Sequence, residues 1–412
     1  MKKFNNIKEL FFSEVALLDI RHNQLAFLFG CVALSPLIGF LPSITPMYYA
    51  MLVVVVIKMV SSHWKIDKVS LFFIIACALS IVLASPPSFF KSWGRLGLFV
   101  LVFMAVSPLL QSKEARKFRK SVLQLTLIVA LIVSLVSFVF YFLGINYMVR
   151  YASTEFMGIA GRFGGLTRHS MILGPISAIA ATYCSYRALS TKNNLYWLLA
   201  VPCIACTMFS ASRSSFLAAI LGFFVMLYAN SNSKKKLMKR LFWIVLVVYA
   251  SFPLWSNALS GLSDKQQNNI EMRGSAMGSR EGKWENRFDE FKSSPIWGVG
   301  FCACDPQNTS DYMKSTGTVE TGSSWLSVLS MTGVLGFIPF CLLFVLSLVR
   351  LWIKKGNNIE NSLFLGLMTL SGFHMMAEGY VLAGGNLLCV LTWLIISCSY
   401  DCGRSYKISS SL

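Results

Sequence analysis

Five arginines, Arg162, Arg168, Arg213, Arg280 and Arg287, stand in polar breaks between long apolar runs. Arginine stays charged throughout the physiological pH range, and its planar fork of N–H donors matches carboxylate and phosphate oxygens two at a time. Several of them on one face would bind and neutralise an oxyanion. A second polar pair, His374 and Glu378, lies at i and i+4 within an apolar run. Ionisable residues at membrane depth are functional candidates by default, and a hydrogen-bonded pair holding helices together is the plainer alternative.

The elements that must position these groups follow from composition. Of 412 residues, 55% are hydrophobic and only 13% charged, and apolar runs recur near the ~20 residues that a spanning helix needs. The pattern predicts an all-α, polytopic membrane protein of about twelve transmembrane helices. The expected spans are 25–41, 46–60, 69–85, 94–111, 121–144, 169–186, 195–210, 214–230, 241–256, 324–350, 361–381 and 384–400. The first apolar run begins only near Leu25 with no small-residue cleavage site after it, so no cleavable signal peptide is expected.

Basic residues orient the bundle, because Lys and Arg favour cytoplasmic loops. With the N-terminus cytoplasmic, one side collects KEARKFRK at 113–120, KKKLMKR at 234–240, Lys65, Lys68, Arg187, Lys192, Arg350, Lys354 and Lys355, and both termini. The net charge of +19 is then explained by topology and by attraction to anionic lipid, which argues against a nucleic-acid partner. The domains expected are helices 1–9 over residues 1–256, a loop on the outer face over 257–323, and helices 10–12 with a cytoplasmic tail over 324–412. The outer face carries 145–168, SASRSS at 210–215 and the long loop, so all five arginines lie on the side that disfavours positive charge.

Within that loop, EGKWENRFDEF brings Trp284, Phe288 and Phe291 round at helical spacing while Glu281, Glu285, Asp289 and Glu290 face elsewhere. This predicts an amphipathic helix lying on the membrane surface, ended by a sharp turn at Pro295, Gly298 and Gly300 that carries Trp297. The eleven cysteines are mostly scattered through apolar runs; the Cys203–Cys206 pair sits in one and reads as packing. No metal-ligand spacing is present.

Arg280, Trp284, Pro295, Gly298 and Gly300, in that spacing, resemble the periplasmic signature of the O-antigen ligase and Wzy-type O-antigen polymerase superfamily of bacterial surface-polysaccharide enzymes. SASRSS resembles the family's Ser-x-Ser-Arg element, which makes Arg213 the second family arginine. GRFGGLTRHSMILG at 161–174 resembles its Arg-x-x-Gly-x-x-x-His-Pro-Asn element through Arg162, Gly165 and His169, with Ser170 and Met171 in place of Pro-Asn. SSWLSVLSMTGVLG at 323–336 resembles the element after the loop. The ligases carry His-Asn just before that element. Here Gly322 and Ser323 stand there, with Glu320 two positions upstream, a departure that favours the polymerase.

The resemblance implies an enzyme of the bacterial inner membrane, with its site facing the periplasm and needing neither metal nor cofactor. Its donor would be an undecaprenyl-diphosphate-linked glycan, and its acceptor a lipid-linked repeat unit in the polymerase or lipid A-core in the ligase. Arg213 and Arg280 would neutralise the leaving diphosphate, with Glu320 or His169 as the base for the acceptor hydroxyl. Arg162, Arg168 and Arg287 would assist binding, and Trp284, Trp297 and Trp325 would stack on sugar rings. Membrane lipids, a chain-length regulator and a flippase are the partners implied. A transporter or flippase for the same lipid-linked glycans is the rival of another class, and it would show matched broken helices in two halves.

Overall fold

A computed structural model of the chain describes residues 20–41, 44–62, 64–148, 163–231, 278–305, 311–317, 321–354 and 359–403, with isolated positions between 233 and 271 and at 319. The expected run at 241–256, the candidates Arg162 and Glu320, and much of the 257–323 loop lie outside the described residues.

The described chain is almost wholly helical. In order it runs α1 (Ile20–Leu34), α2 (Thr45–Val60), α3 (Lys68–Ala84), α4 (Ser92–Val106), α5 (Lys113–Phe142), α6 (Ser170–Thr191), α7 (Leu195–Phe209), α8 (Arg213–Ala229), α9 (Gly278–Ser293), the short α10 (Asp311–Thr316), α11 (Ser324–Ile353), α12 (Ile359–Ala377) and α13 (Leu387–Gly403). Its one sheet is a two-residue antiparallel pair, Lys65–Ile66 against Leu110–Gln111. Among the described residues, three stretches are long and apolar enough to cross a membrane, Ser88–Val106, Lys113–Phe142 and Ser324–Ile353, and shorter apolar helices accompany them.

Side-chain caps fix several helix starts. Asp67 accepts from Ser70 N at 3.0 Å, and Ser112 from Ala115 N at 2.9 Å. The core is aromatic where α3, α4, α11 and α13 meet: Trp393, fully buried, lies edge-on to Phe103 at 4.6 Å and contacts Phe73 and Phe340. Its indole donates to Val381 O at 3.0 Å, so the one polar atom of the cluster is satisfied.

At one end of the bundle, ionic contacts tie helix termini together. Buried Arg119 bonds Asp401 at 2.9 Å and the carbonyls of Ser107 and Leu110, Lys120 bonds Glu360 at 2.7 Å, and Tyr400 donates to Asp67 at 2.6 Å. Arg213, His169 and Glu378 belong to the opposite end.

One helix is broken. Inside α11, Gly333 adopts φ 59 and ψ −166, so the helix is two pieces meeting at a kink. A Cβ there would lie 2.3 Å from Ile296 O, and this close approach requires glycine as much as the left-handed φ does. The turn after α9 fills the break. Val299 N and Gly300 N donate to Ser330 O and Met331 O at 2.9 and 3.2 Å, while Val334 N and Leu335 N donate to Pro295 O and Ile296 O at 2.9 and 3.2 Å. Four main-chain bonds thus seat residues 295–300 in a helix that would otherwise leave donors and acceptors open.

α9 forms as expected, and the face it turns toward the bundle is ionic. Its inward face carries Arg287 and Glu290, 3% and 1% exposed, while Phe288 remains 46% exposed and Trp297, in the following turn, 38%. The inward pair is ionic because it faces open main-chain groups: Arg287 bonds Glu290 at 2.8 Å and reaches Ala303 O and Ser330 Oγ, and Glu290 accepts from Asp305 N at 3.0 Å. Polar partners at the loop end decide which face turns in.

Candidate active site

Small residues bring the site's helices into register. α8 and α12 cross with Gly222 against Gly366, where a Cβ on either would lie 2.7 or 2.9 Å from the other's carbonyl oxygen. Along the two helices at 1.5 Å per residue, Arg213 lies about 14 Å before this crossing and Glu378 about 18 Å after the other. The pair runs antiparallel, so both reach the same end. α6 joins them through Gly174, whose Cβ position is 2.8 Å from Ser210 Oγ and 2.9 Å from Ser215 Oγ. Between α7 and α8 the chain turns sharply, with Ala211 at φ 51.

Into this end α9 projects Arg280. Its guanidinium forms an ion pair with Glu378, the two side chains 22% and 15% exposed. It lies within electrostatic range of Arg213 and of His374. Two arginines 67 positions apart in the chain therefore share one polar patch with a carboxylate that neither neighbours in sequence. Among the described residues, the two guanidinium groups and the Glu378 carboxylate together make the patch cationic, a setting that suits a further anion.

The anchoring of α9 over the patch is explicit. Trp284 donates to Gly322 O at 3.4 Å, and Lys283 packs where a Gly322 side chain would be. Residues 321–324 meet the segment after α12. Ser324 N and Oγ donate to Glu378 O at 3.0 and 2.7 Å, Ser324 Oγ accepts from Tyr380 N at 3.0 Å, and a Cβ on Gly379 would lie 1.5 Å from Thr321 Oγ1. Behind them His374 is buried, its Nδ1 3.0 Å from Tyr380 OH.

The remaining candidates divide. His169 is the N-cap of α6, its Nδ1 accepting from Met171 N at 3.0 Å, and so starts its helix at the same end. Arg168 donates to Leu41 O, which ties it to the α1–α2 connection. Arg287 is committed to the internal contacts beneath α9. Trp325 donates to Gly372 O at 2.9 Å and packs on Phe340 and Phe344, inside the bundle, whereas Trp297 stays at the surface. Sequence reasoning marked Glu378 only as the partner of His374. The signal that links it to Arg280 is a contact across 98 residues, which no periodicity carries.

The comparison with protein families supports the resemblance over part of the chain. Residues 198–341 match the O-antigen ligase family. The matched segment holds Arg213, Arg280, the α9 turn and the broken start of α11; His169 precedes it, and His374 and Glu378 follow it. No curated protein matches the chain. The family points to a ligase- or polymerase-type enzyme of surface polysaccharide, acting on lipid-linked glycans, and the apolar helices agree with a membrane protein.

Proposed function

We propose that the chain is a polysaccharide polymerase of the bacterial inner membrane. It would transfer a growing glycan from undecaprenyl diphosphate to a lipid-linked repeat unit on the periplasmic face. The observation that carries this reading is the gathering of Arg213 and Arg280, from separate segments, into one partly exposed patch at the end of apolar helices. A lipid diphosphate presents its charge at that depth, and it gains charge as it departs, so preorganised arginines stabilise the transition state more than the bound donor. The donor leaves by cleavage of its anomeric C–O bond, and the acceptor hydroxyl loses a proton to a base. His169 stands at the right end for that role; Glu320 is the other candidate.

Twelve spans, a cytoplasmic N-terminus and a periplasmic α9 complete the proposal, with Trp297 as a surface aromatic for the sugar or the interface. A cysteine placed at the exposed Glu285 is expected to react with a membrane-impermeant thiol reagent from the periplasm, and labelling only after the inner membrane is opened would overturn the orientation.

The chemistry is tested with Arg213→Ala and Arg280→Ala in cells that make the protein at normal levels. Both are expected to lose full-length surface polysaccharide; full-length polymer from either sinks the assignment of that arginine. The ligase reading, transfer of a finished chain to lipid A-core, is favoured by the description of the matched family. Deleting the gene separates the two: single-repeat products mark a polymerase, and lipid-linked polymer missing from the core marks a ligase.

A further inference from the structure

The proposed chemistry gives the Glu378 carboxylate, ion-paired with Arg280, no role, although among the described residues it is the acidic group paired to the arginine patch. Its position is fixed from three directions. Glu378 N donates to His374 O at 3.1 Å, its carbonyl receives two bonds from Ser324, and Gly379 presses against Thr321. The side chain is partly exposed, so a substrate at the bundle end can reach it. The two histidines nearby are less free: His374 is buried against Tyr380, and the His169 Nδ1 caps a helix. Among the described residues, Arg280 from α9 and Tyr380 from the segment after α12 face the carboxylate, Arg213 from α8 and His374 from α12 lie in electrostatic range of Arg280, and Lys283 packs beside Gly322.

We propose that Glu378 is the general base for the acceptor hydroxyl, held idle by Arg280 until a lipid diphosphate draws the arginine away. The inference rests on the reading of Arg213 and Arg280 as the diphosphate site. A diphosphate carries more negative charge than one carboxylate and offers a guanidinium two matched oxygens, so it competes for Arg280. The freed carboxylate then takes the acceptor's O–H proton as the acceptor oxygen bonds the anomeric carbon. The anomeric C–O bond to the diphosphate breaks, and its electron pair leaves on the diphosphate oxygen held by Arg280 and Arg213. The ion pair thus couples donor arrival to base activation, and without donor the base is masked.

The test uses the full chain in proteoliposomes, undecaprenyl-diphosphate-linked repeat units extracted from a strain lacking the protein, and undecaprenyl diphosphate as the binding probe. Turnover against pH is compared for wild type, Glu378→Asp and Glu378→Gln. Gln keeps a hydrogen bond to Arg280 and removes the base. It is expected to cut turnover by about 10²–10⁴-fold and abolish the acidic limb of the pH profile, while undecaprenyl diphosphate binds at least as tightly as to wild type. Asp is expected to recover part of the rate together with the acidic limb. Turnover of the Gln variant within the scatter of wild type overturns the inference and leaves the donor site standing. Donor binding lost in proportion to turnover also overturns it, since that is the mark of a positioning residue. Wild-type protein that neither binds the diphosphate nor transfers glycan fails the donor reading itself, and the inference falls with it.

Discussion

Replacing Gly298 by alanine tests the idea that a few main-chain bonds hold the arginine patch together. Gly298 has φ +76, and an added Cβ would lie 2.4 Å from Met331 C and 2.5 Å from Thr332 N, backbone atoms that cannot rotate aside. The left-handed conformation alone costs a non-glycine residue about 1–2 kcal/mol. To escape the clash the turn must lift off α11 and surrender its four main-chain bonds, a further loss of about 2–6 kcal/mol at the usual net value per bond. Even the lower end of the two together, about 3 kcal/mol, lowers the docked population of α9 about a hundredfold. The assay is limited tryptic cleavage at the exposed Lys292, on the full chain in lipid nanodiscs, alongside surface polysaccharide from the same variant. The control is Gly282→Ala: this glycine lies in α9 with nothing within 4 Å of its Cβ position, so alanine is expected to stabilise by about 0.5–1 kcal/mol. Gly298→Ala should be cut much faster than wild type and lose polymer, and Gly282→Ala should do neither. If Gly298→Ala resists trypsin as wild type does and still makes polymer, the docking argument is wrong.

Arg287→Met strands the buried Glu290 carboxylate and should lower stability in detergent by about 3–5 kcal/mol, whereas changing Arg287 and Glu290 together to Met and Leu should cost much less. Burial pushes the Glu290 carboxyl above its ordinary range, against the opposing pull of Arg287. The folded chain therefore favours the protonated form, and this group's contribution is greatest at low pH and falls as pH rises through the folded value; thermal unfolding of Arg287→Met should show that slope more steeply than wild type. Gly222→Leu should force α8 and α12 apart and destabilise by about 1–3 kcal/mol or more, read as a lower melting temperature with loss of polymer. Gly379→Ala should abolish polymer, and adding Thr321→Gly, which removes the side chain it strikes, should restore part of it.

Much of the scaffold was legible because apolar runs declare helices directly. Each expected run within the described residues is helical, with shifts at the ends: Ser35 and Pro36 stop α1 early, and the charged KEARKFRK joins α5 because its Ser112 cap and good helix formers extend the helix outward. The break in α11 was not visible in hydropathy, since Gly333 sits among residues as apolar as any spanning helix. Its cause is a bonding partner some 35 positions earlier in the chain. The same limit applied to α9, where the aromatic stripe gave the helix but not the burial of Arg287 and Glu290, because Ala303 O and Asp305 N, the groups that recruit them, lie in the next turn. Arg213 and Arg280 stood out because positive charge is unexpected on the face that the loop charges assign to the outside. The Arg280–Glu378 pair did not, because it joins the loop to α12.

The kink at Gly333 also bears on how the protein is made and recombined. Amide groups left open in a hydrocarbon interior cost several kcal/mol each, so the two halves of α11 are compatible with a bilayer only when Pro295 and Ile296 lend their carbonyls. Those residues are synthesised first and wait for the helix that needs them. The loop before α11 is therefore its companion during insertion. Exchanges between relatives should carry residues 295–300 and 330–336 as one cassette, since a chimera joined between them pairs a broken helix with a stranger's turn.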